Sequence, residues 1–262
     1  MCSLGVVEYR EALALQERLR AARQADAVPD TLLLLEHFPV YTRGRRSAPG
    51  ELPMGEEWYR MQGIEIFDTD RGGKVTYHGP GQLVGYPIVR VDDVVEYVRT
   101  LERALVAALA QEGVAARARA DEGPDFTGVW VAERKIASIG VHVARGVTTH
   151  GFAVNVENDL QPFGWVVACG LPDVQMTSLI RETGRLAGQM PCFRRRVAWE
   201  MAQALGRRQR LISPARLERH LAGAVELATS APSEPTPASS EPSPAPATSL
   251  RSSASSVGAS SS

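Results

Sequence analysis

Two spacings of apolar residues divide this chain into strands and helices. Leu4 to Val7 is a short strand-like run, and Ala12, Leu15, Leu19 and Ala22 then recur at helical spacing. That stripe predicts an amphipathic helix ending before Pro29-Asp30. Thr31 to Leu35 is nearly all apolar, the pattern of a strand buried on both faces. His37 to Arg45 reads as a loop leaving the sheet, bounded by Pro39 and Gly44. Trp58, Tyr59 and Met61 fall on a short helix, and Ile64 to Phe67 is the next strand. Leu83 to Val91 is another. Asp92 or Asp93 can cap the following helix, whose stripe is Val94, Val98, Leu101, Leu105 and Ala108 or Leu109, with Gly113 placed to stop it. That helix reads as core scaffolding. Thr127 to Ala132 and Arg134 to Ala144 pair as a hairpin across Glu133-Arg134, and Thr148 to Val156 is a further strand. Helical stretches follow around Val197 to Leu205 and Pro214 to Leu227.

One stretch breaks both periods. Arg71-Gly72-Gly73-Lys74-Val75-Thr76-Tyr77-His78-Gly79-Pro80-Gly81-Gln82 sets two cations and a histidine among glycines, between two strand-like runs. Glycine lets backbone approach a ligand closely and present its N–H groups. The spacing fits neither G-x-x-x-x-G-K-[ST] nor G-x-G-x-x-G, and no helix start follows it. A β-hairpin with glycine turns is the plainer reading, and the company of Arg71, Lys74 and His78 favours a site.

From about Ser230 the composition turns abruptly to Ser, Pro, Ala, Thr and Glu. Such a segment buries too little apolar surface to offset its ordering entropy, so the expected organisation is one domain over residues 1–229 and a disordered tail over 230–262. Within 262 residues, 44% hydrophobic and 23% charged, a core of ordinary size needs no staples. The formal net charge of −1 gives no field for nucleic acid or anionic membrane. Cys2, Cys169 and Cys192 form no C-x-x-C pair, so neither a disulfide framework nor a zinc site is indicated, and reduced thiols in a cytoplasmic setting are expected. The start lacks a basic region followed by an apolar core, and the apolar run Ala104 to Ala110 is too short to span a bilayer.

Cys169, in Ala-Cys-Gly-Leu-Pro, and Lys135, in an otherwise strand-like segment, are the candidates for chemistry. Alone, a cysteine is commonly a small buried hydrophobe, and a strand lysine commonly points to solvent, where truncation costs little. Together they make a nucleophile and its activator. A free thiol has a pKa near about 8.5, and an ammonium about 4 Å away at an effective dielectric near 20 favours the thiolate by about 4 kcal/mol before desolvation opposes it. Whether such a pair rests charged or neutral stays open. His78 and His150 are further candidates, each also readable as a hydrogen-bonded core histidine. No H-E-x-x-H or G-x-S-x-G motif is present.

Arg71 to Gln82, then Lys135-Ile136-Ala137-Ser138-Ile139-Gly140, His150-Gly151-Phe152-Ala153-Val154-Asn155 and Ala168-Cys169-Gly170, resemble in order the signatures of the lipoyl(octanoyl) transferases. Glu36-His37-Phe38-Pro39-Val40-Tyr41-Thr42 is similar to another family segment, with Phe38 where proline is common and Arg43 where leucine is frequent. The resemblance implies the α/β (α+β) fold of the biotin and lipoate protein ligase catalytic module, a mixed β-sheet flanked by helices. It implies transfer of an octanoyl group from octanoyl-acyl carrier protein to a lysine of a lipoyl domain, the acceptors being 2-oxoacid dehydrogenase complexes and the glycine cleavage H protein. By the same carry-over Cys169 is the acyl-thioester nucleophile, and Lys135 lowers its pKa and shuttles protons. Arg71, Gly72, Gly73, Lys74, Val75, Thr76, Tyr77 and His78 line the acyl site with Ser138, Ile139, Gly140, Gly151, Phe152 and Ala153, supported by His150. No metal or nucleotide cofactor is implied, because the donor thioester is already activated. Arg43, Arg45, Arg46 and Arg71 are expected to form a positive rim for an acidic carrier. An ATP-dependent lipoate or biotin ligase on the same fold, and a non-catalytic module that merely holds acyl-carrier or lipoyl domains, are the alternatives. The cysteine argues against the first, and a covalent adduct would exclude the second.

Overall fold

A computed structural model describes residues 1–167 and 174–230, without the side chains of 120 and 225–230. In chain order the elements are β1 (Cys2–Val7), α1 (Tyr9–Gln24), β2 (Thr31–His37), β3 (Val40–Arg43), α2 (Glu56–Met61), β4 (Glu65–Asp68), β5 (Thr76–His78) and β6 (Gln82–Ile88). There follow α3 (Val94–Ala110), β7 (Arg117–Ala118), β8 (Gly128–Val131), β9 (Arg134–Ala144), β10 (Val147–Asn155), α4 (Leu179–Thr183), α5 (Met190–Ala204) and α6 (Pro214–Ser230).

Seven strands form one mixed sheet in the order β1-β2-β6-β10-β9-β8-β7. Among the described strands only the β1–β2 pair in it is parallel. A smaller sheet, β4-β3-β5, stands apart. Helices α3 and α5 cover one face of the large sheet, where Leu101, Leu105, Phe193 and Val197 meet Ile136, Phe152 and Val154. On the other face, α1 and α6 bring Ala12, Leu19, Leu217 and Leu221 against Leu33, Leu35 and Val84. Central strands sandwiched this way must be apolar on both sides, which is why Thr31 to Leu35 shows no alternation. The small sheet has its own core of Tyr41, Tyr59, Val75 and Tyr77.

Asp93 caps α3 by accepting from the N–H groups of Val95 and Glu96, and Gly113 closes its exit at φ +84°. The stretch expected to be a loop from His37 to Arg45 is otherwise. Val40–Arg43 pairs with Glu65–Asp68 on one side and with Thr76–His78 on the other. The reason is local: a four-residue strand between Pro39 and Gly44 is too short to show a period. The same pairing rules out a hairpin for the glycine-rich stretch, since β5 and β6 belong to different sheets. Among the described residues no helix is long and apolar enough to cross a membrane.

Candidate active site

The cavity exists because β8 is short. It opposes β9 only from Arg134 to Ser138, so the rest of that edge of β9 can take another partner. Gly72 supplies it, donating its N–H to the Val141 carbonyl at 2.9 Å. The approach needs Gly140 beneath it, since a β-carbon there would lie 2.8 Å from the Gly72 oxygen. Between this loop, the β9–β10 surface and the start of α3 lies a cavity of about 550 Å³.

Arg71 fixes the loop from inside. The residue is 7% exposed, and its side chain donates to Thr42 O at 2.6 Å, Thr42 Oγ1 at 2.7 Å, Lys74 O at 2.8 Å and Gly72 O at 3.0 Å. Arg45 and Arg46 close the other side, their N–H groups donating to Arg71 O and Gly73 O. A planar guanidinium with five donors suits four converging oxygens, and a lysine would not.

Lys135 lines the cavity and is 2% exposed. The plainer reading of a strand lysine, pointing to solvent, therefore does not hold for Lys135. Trp130 pairs with Lys135 but Val129 pairs with Ala137, leaving Ile136 as the extra residue of a β-bulge. That slip turns Lys135 to the same face as Ser138, three residues on, where strict alternation would oppose them. Its Nζ stands 5.1 Å from the Trp130 ring centroid, within cation–π range. Its backbone is held on the far side by Gln175 O and Thr177 N.

At the other end His78, His150, Tyr9 and Tyr86 form the wall, with His37 behind Tyr86. His37 donates from Nδ1 to Val7 O at 2.8 Å and accepts from the Tyr86 hydroxyl at 2.7 Å. Burial pushes its pKa down to about 4, so it is neutral. Burial likewise holds His78 well below its ordinary value; its Nδ1 bonds Gln82 Oε1 at 2.7 Å. His150 adopts φ +58° inside β10, an uncommon conformation for a residue with a β-carbon. Its N–H donates to Gln16 Oε1, and its Nε2 donates to Asp70 Oδ1 at 2.7 Å. Burial lowers the His150 pKa, while the bond from His150 holds the Asp70 carboxyl down near about 2.

Of the residues expected at the acyl site, Arg71, Gly72, Gly73, Lys74, Thr76 and His78 line the cavity, as do Ser138, Ile139, Gly140, Gly151, Phe152, Ala153 and His150. Val75 and Tyr77 do not. Alternation along β5 turns them into the Tyr41–Tyr59 cluster, away from the cavity. The expected arginine rim is corrected too. Arg43 is neutralised by Asp68 and Glu56, and Arg71 is a buried anchor. Cys169 lies outside the described residues.

Several cavity residues carried no sequence signal. Tyr9 and Tyr86 line it from α1 and β6, and their helix and strand spacings read equally as core. Arg99 and Val98 show that α3 contributes to the site as well as to the scaffold. Glu102, 1% exposed on its side chain, takes Arg99 Nη1 at 2.7 Å and the Gly128 N–H at 2.9 Å, so this helix reaches the strand that seats Lys135.

Comparison with known proteins agrees with this geometry. The lipoyl protein ligase A/B catalytic domain matches residues 8–200. The octanoyltransferase of Acidothermus cellulolyticus is 49% identical over 189 residues, covering 69% of this chain and 80% of that protein. That of Dictyoglomus thermophilum is 40% identical over 200 residues, covering 76% and 84%. In fold, the chain superposes on a lipoate-protein ligase A bound with ATP with a TM-score of 0.65 at 18% identity, covering 87% of this chain and 94% of the other. A bi-partite lipoate protein ligase from Thermoplasma acidophilum gives 0.64 at 18% identity, covering 87% and 91%. By the matching domain and these relatives, the chain belongs to the octanoyltransferase family, acyltransferases that carry out octanoyl transfer in protein lipoylation.

Proposed function

We propose that the protein moves an octanoyl group from octanoyl-acyl carrier protein onto a lysine of a lipoyl domain through a thioester on Cys169. The observation that carries this reading is the burial of Lys135 in the cavity wall, with its Nζ against Trp130. A lysine is placed at such cost where its charge or its proton is used. Gln175 and Thr177, six and eight positions after Cys169 in the sequence, are hydrogen-bonded to the Lys135 backbone. Thr76 adds support: its hydroxyl is buried at the cavity without a hydrogen-bond partner among the described residues, free to meet a polar atom of the acyl donor.

In the first half-reaction the Cys169 sulfur attacks the thioester carbonyl. A new C–S bond forms, the bond to the carrier sulfur breaks, and that sulfur leaves as a thiol with a proton passed through Lys135. In the second, the acceptor amine attacks the same carbonyl, its excess proton goes to Lys135, and the Cys169 sulfur departs. The T. acidophilum ligase was described together with its E2 lipoyl domain, and acceptors of that kind, from 2-oxoacid dehydrogenase complexes or the glycine cleavage H protein, suit the reading.

Intact mass spectrometry after mixing the protein with octanoyl-carrier tests it. A hydroxylamine-labile octanoyl adduct is expected, mapping to Cys169 and absent from Cys169→Ala. Undiminished transfer by that variant would overturn the thioester route. Transfer from free octanoate only when ATP is present would instead make the protein a ligase.

A further inference from the structure

We infer that Arg46 and Lys74 form an anion subsite at the cavity mouth that takes the phosphate of the donor's thiol arm. The inference rests on the thioester-donor reading above and assigns the part of the donor that reading leaves without a contact. Both cations line the cavity, and both face one carboxylate on the opposite rim. Arg46 Nη1 is 3.1 Å from Asp125 Oδ1, and Lys74 Nζ is 3.9 Å from Asp125 Oδ2. Two positive charges on one negative leave the mouth with a charge to spare.

Asp125 is a poor occupant. Its Oδ1 is buried and makes no hydrogen bond among the described residues, so the Arg46 contact is an ion pair without hydrogen-bond alignment. The Lys74 contact sits at the outer edge of ion-pair distance. Half-exposed pairs of this kind hold little free energy, so an incoming anion displaces the carboxylate readily. The backbone that carries each cation is held in place. Arg46 rides on a loop whose N–H bonds Gly73 O, and the Lys74 carbonyl is held by buried Arg71. In the first turn of α3, the N–H groups of Val95 and Glu96 are already taken by the Asp93 carboxylate.

The arm phosphate, a singly charged diester with two free oxygens, is an acceptor that a guanidinium and an ammonium can share. In a thioester donor the acyl group enters the cavity first, and a phosphate at the far end of a pantetheine arm trails toward the rim. The carrier-bound arm holds this phosphate as a singly charged diester and the free arm as a doubly charged monoester, so a small thioester reports whether the subsite takes a phosphate at all.

The test compares kcat/KM of the full-length protein for octanoyl-4′-phosphopantetheine and for octanoyl-pantetheine, which differ only in the phosphate. Wild type is expected to favour the phosphorylated thioester about tenfold. Arg46→Gln should cut that ratio to about twofold, and Asp125→Asn, which removes the competing carboxylate, should raise it. A wild-type ratio near one, or a ratio that Arg46→Gln leaves intact, overturns the subsite while leaving octanoyl transfer standing. Transfer from neither small thioester nor octanoyl-carrier overturns the donor reading and the subsite with it.

Discussion

Gly128 and Lys135 touch where a side chain would ordinarily keep them apart. A β-carbon on Gly128 would stand 2.9 Å from Lys135 Cε and 2.4 Å from the Ala137 carbonyl oxygen. Gly128 also holds φ at +134°, a region open to glycine and few others. The buried carboxylate of Glu102 keeps it there by accepting its N–H. Gly128→Ala is therefore expected to lower stability by about 2–3 kcal/mol and to displace the lysine stem. Denaturant unfolding measures the first, and the rate of the octanoyl adduct measures the second. An alanine variant with wild-type stability would show that the contact is slack.

Because Lys135 is buried, truncating it to alanine leaves a void as well as removing a charge, at about 2 kcal/mol or more. Lys135→Met separates the two. Methionine keeps an unbranched stem against Trp130 and Gly128 and drops only the ammonium. This variant is expected to melt close to wild type but to acylate about 100-fold more slowly at pH 7. If, as proposed, Lys135 activates Cys169, the thiol of the variant should sit nearer its ordinary pKa of about 8.5, and raising the pH should restore part of the rate. Iodoacetamide alkylation of Cys169 across pH reads this directly; identical profiles for wild type and variant would remove the activating role.

What the chain discloses about its site follows from which signals are local. Arg71 to Gln82 stands out because glycine, cation and histidine break every period, and the order of the four signature segments carried the fold. Two things were not local. The direction of Lys135 depends on a bulge at Ile136, which exists only in the register between β8 and β9. The faces of Val75 and Tyr77 depend on β3, a strand whose pattern is too short to read. Likewise, Arg43 looks like a free surface cation until folding brings Asp68 and Glu56 beside it.

The buried histidines make stability depend on pH in a defined window. His37 is neutral in the fold with its pKa lowered to about 4 by burial, against about 6.5 in the unfolded chain. Between those values the unfolded chain binds a proton that the native state does not, so stability rises with pH across the window. The contribution is full above about pH 6.5 and is lost as pH falls toward 4, a change of about 3 kcal/mol. His78 adds to it in the same direction. His37→Gln should melt lower than wild type at pH 7 yet show a shallower fall between pH 6.5 and 4.5. Parallel slopes for the two proteins would mean that His37 does not titrate in this range.

Arg71→Lys tests whether the glycine-rich wall is held by geometry or by charge. The substitution keeps the charge but offers a compact ammonium to oxygens from Thr42, Gly72 and Lys74 that the guanidinium reaches in a planar fork. At least one buried carbonyl then loses its donor, at about 1–3 kcal/mol. The loss should be felt in the loop first, since the Arg45, Arg46 and Gly72 N–H groups bond to Arg71 O, Gly73 O and Val141 O respectively. Hydrogen exchange is expected to speed up at those three amides while the amides of β2 and β6 keep their protection. The KM for the octanoyl donor should rise with it, because the wall that faces the chain no longer holds one shape. Unchanged exchange at Gly72 would show that the loop is fixed by its backbone bonds alone and that Arg71 is dispensable to it.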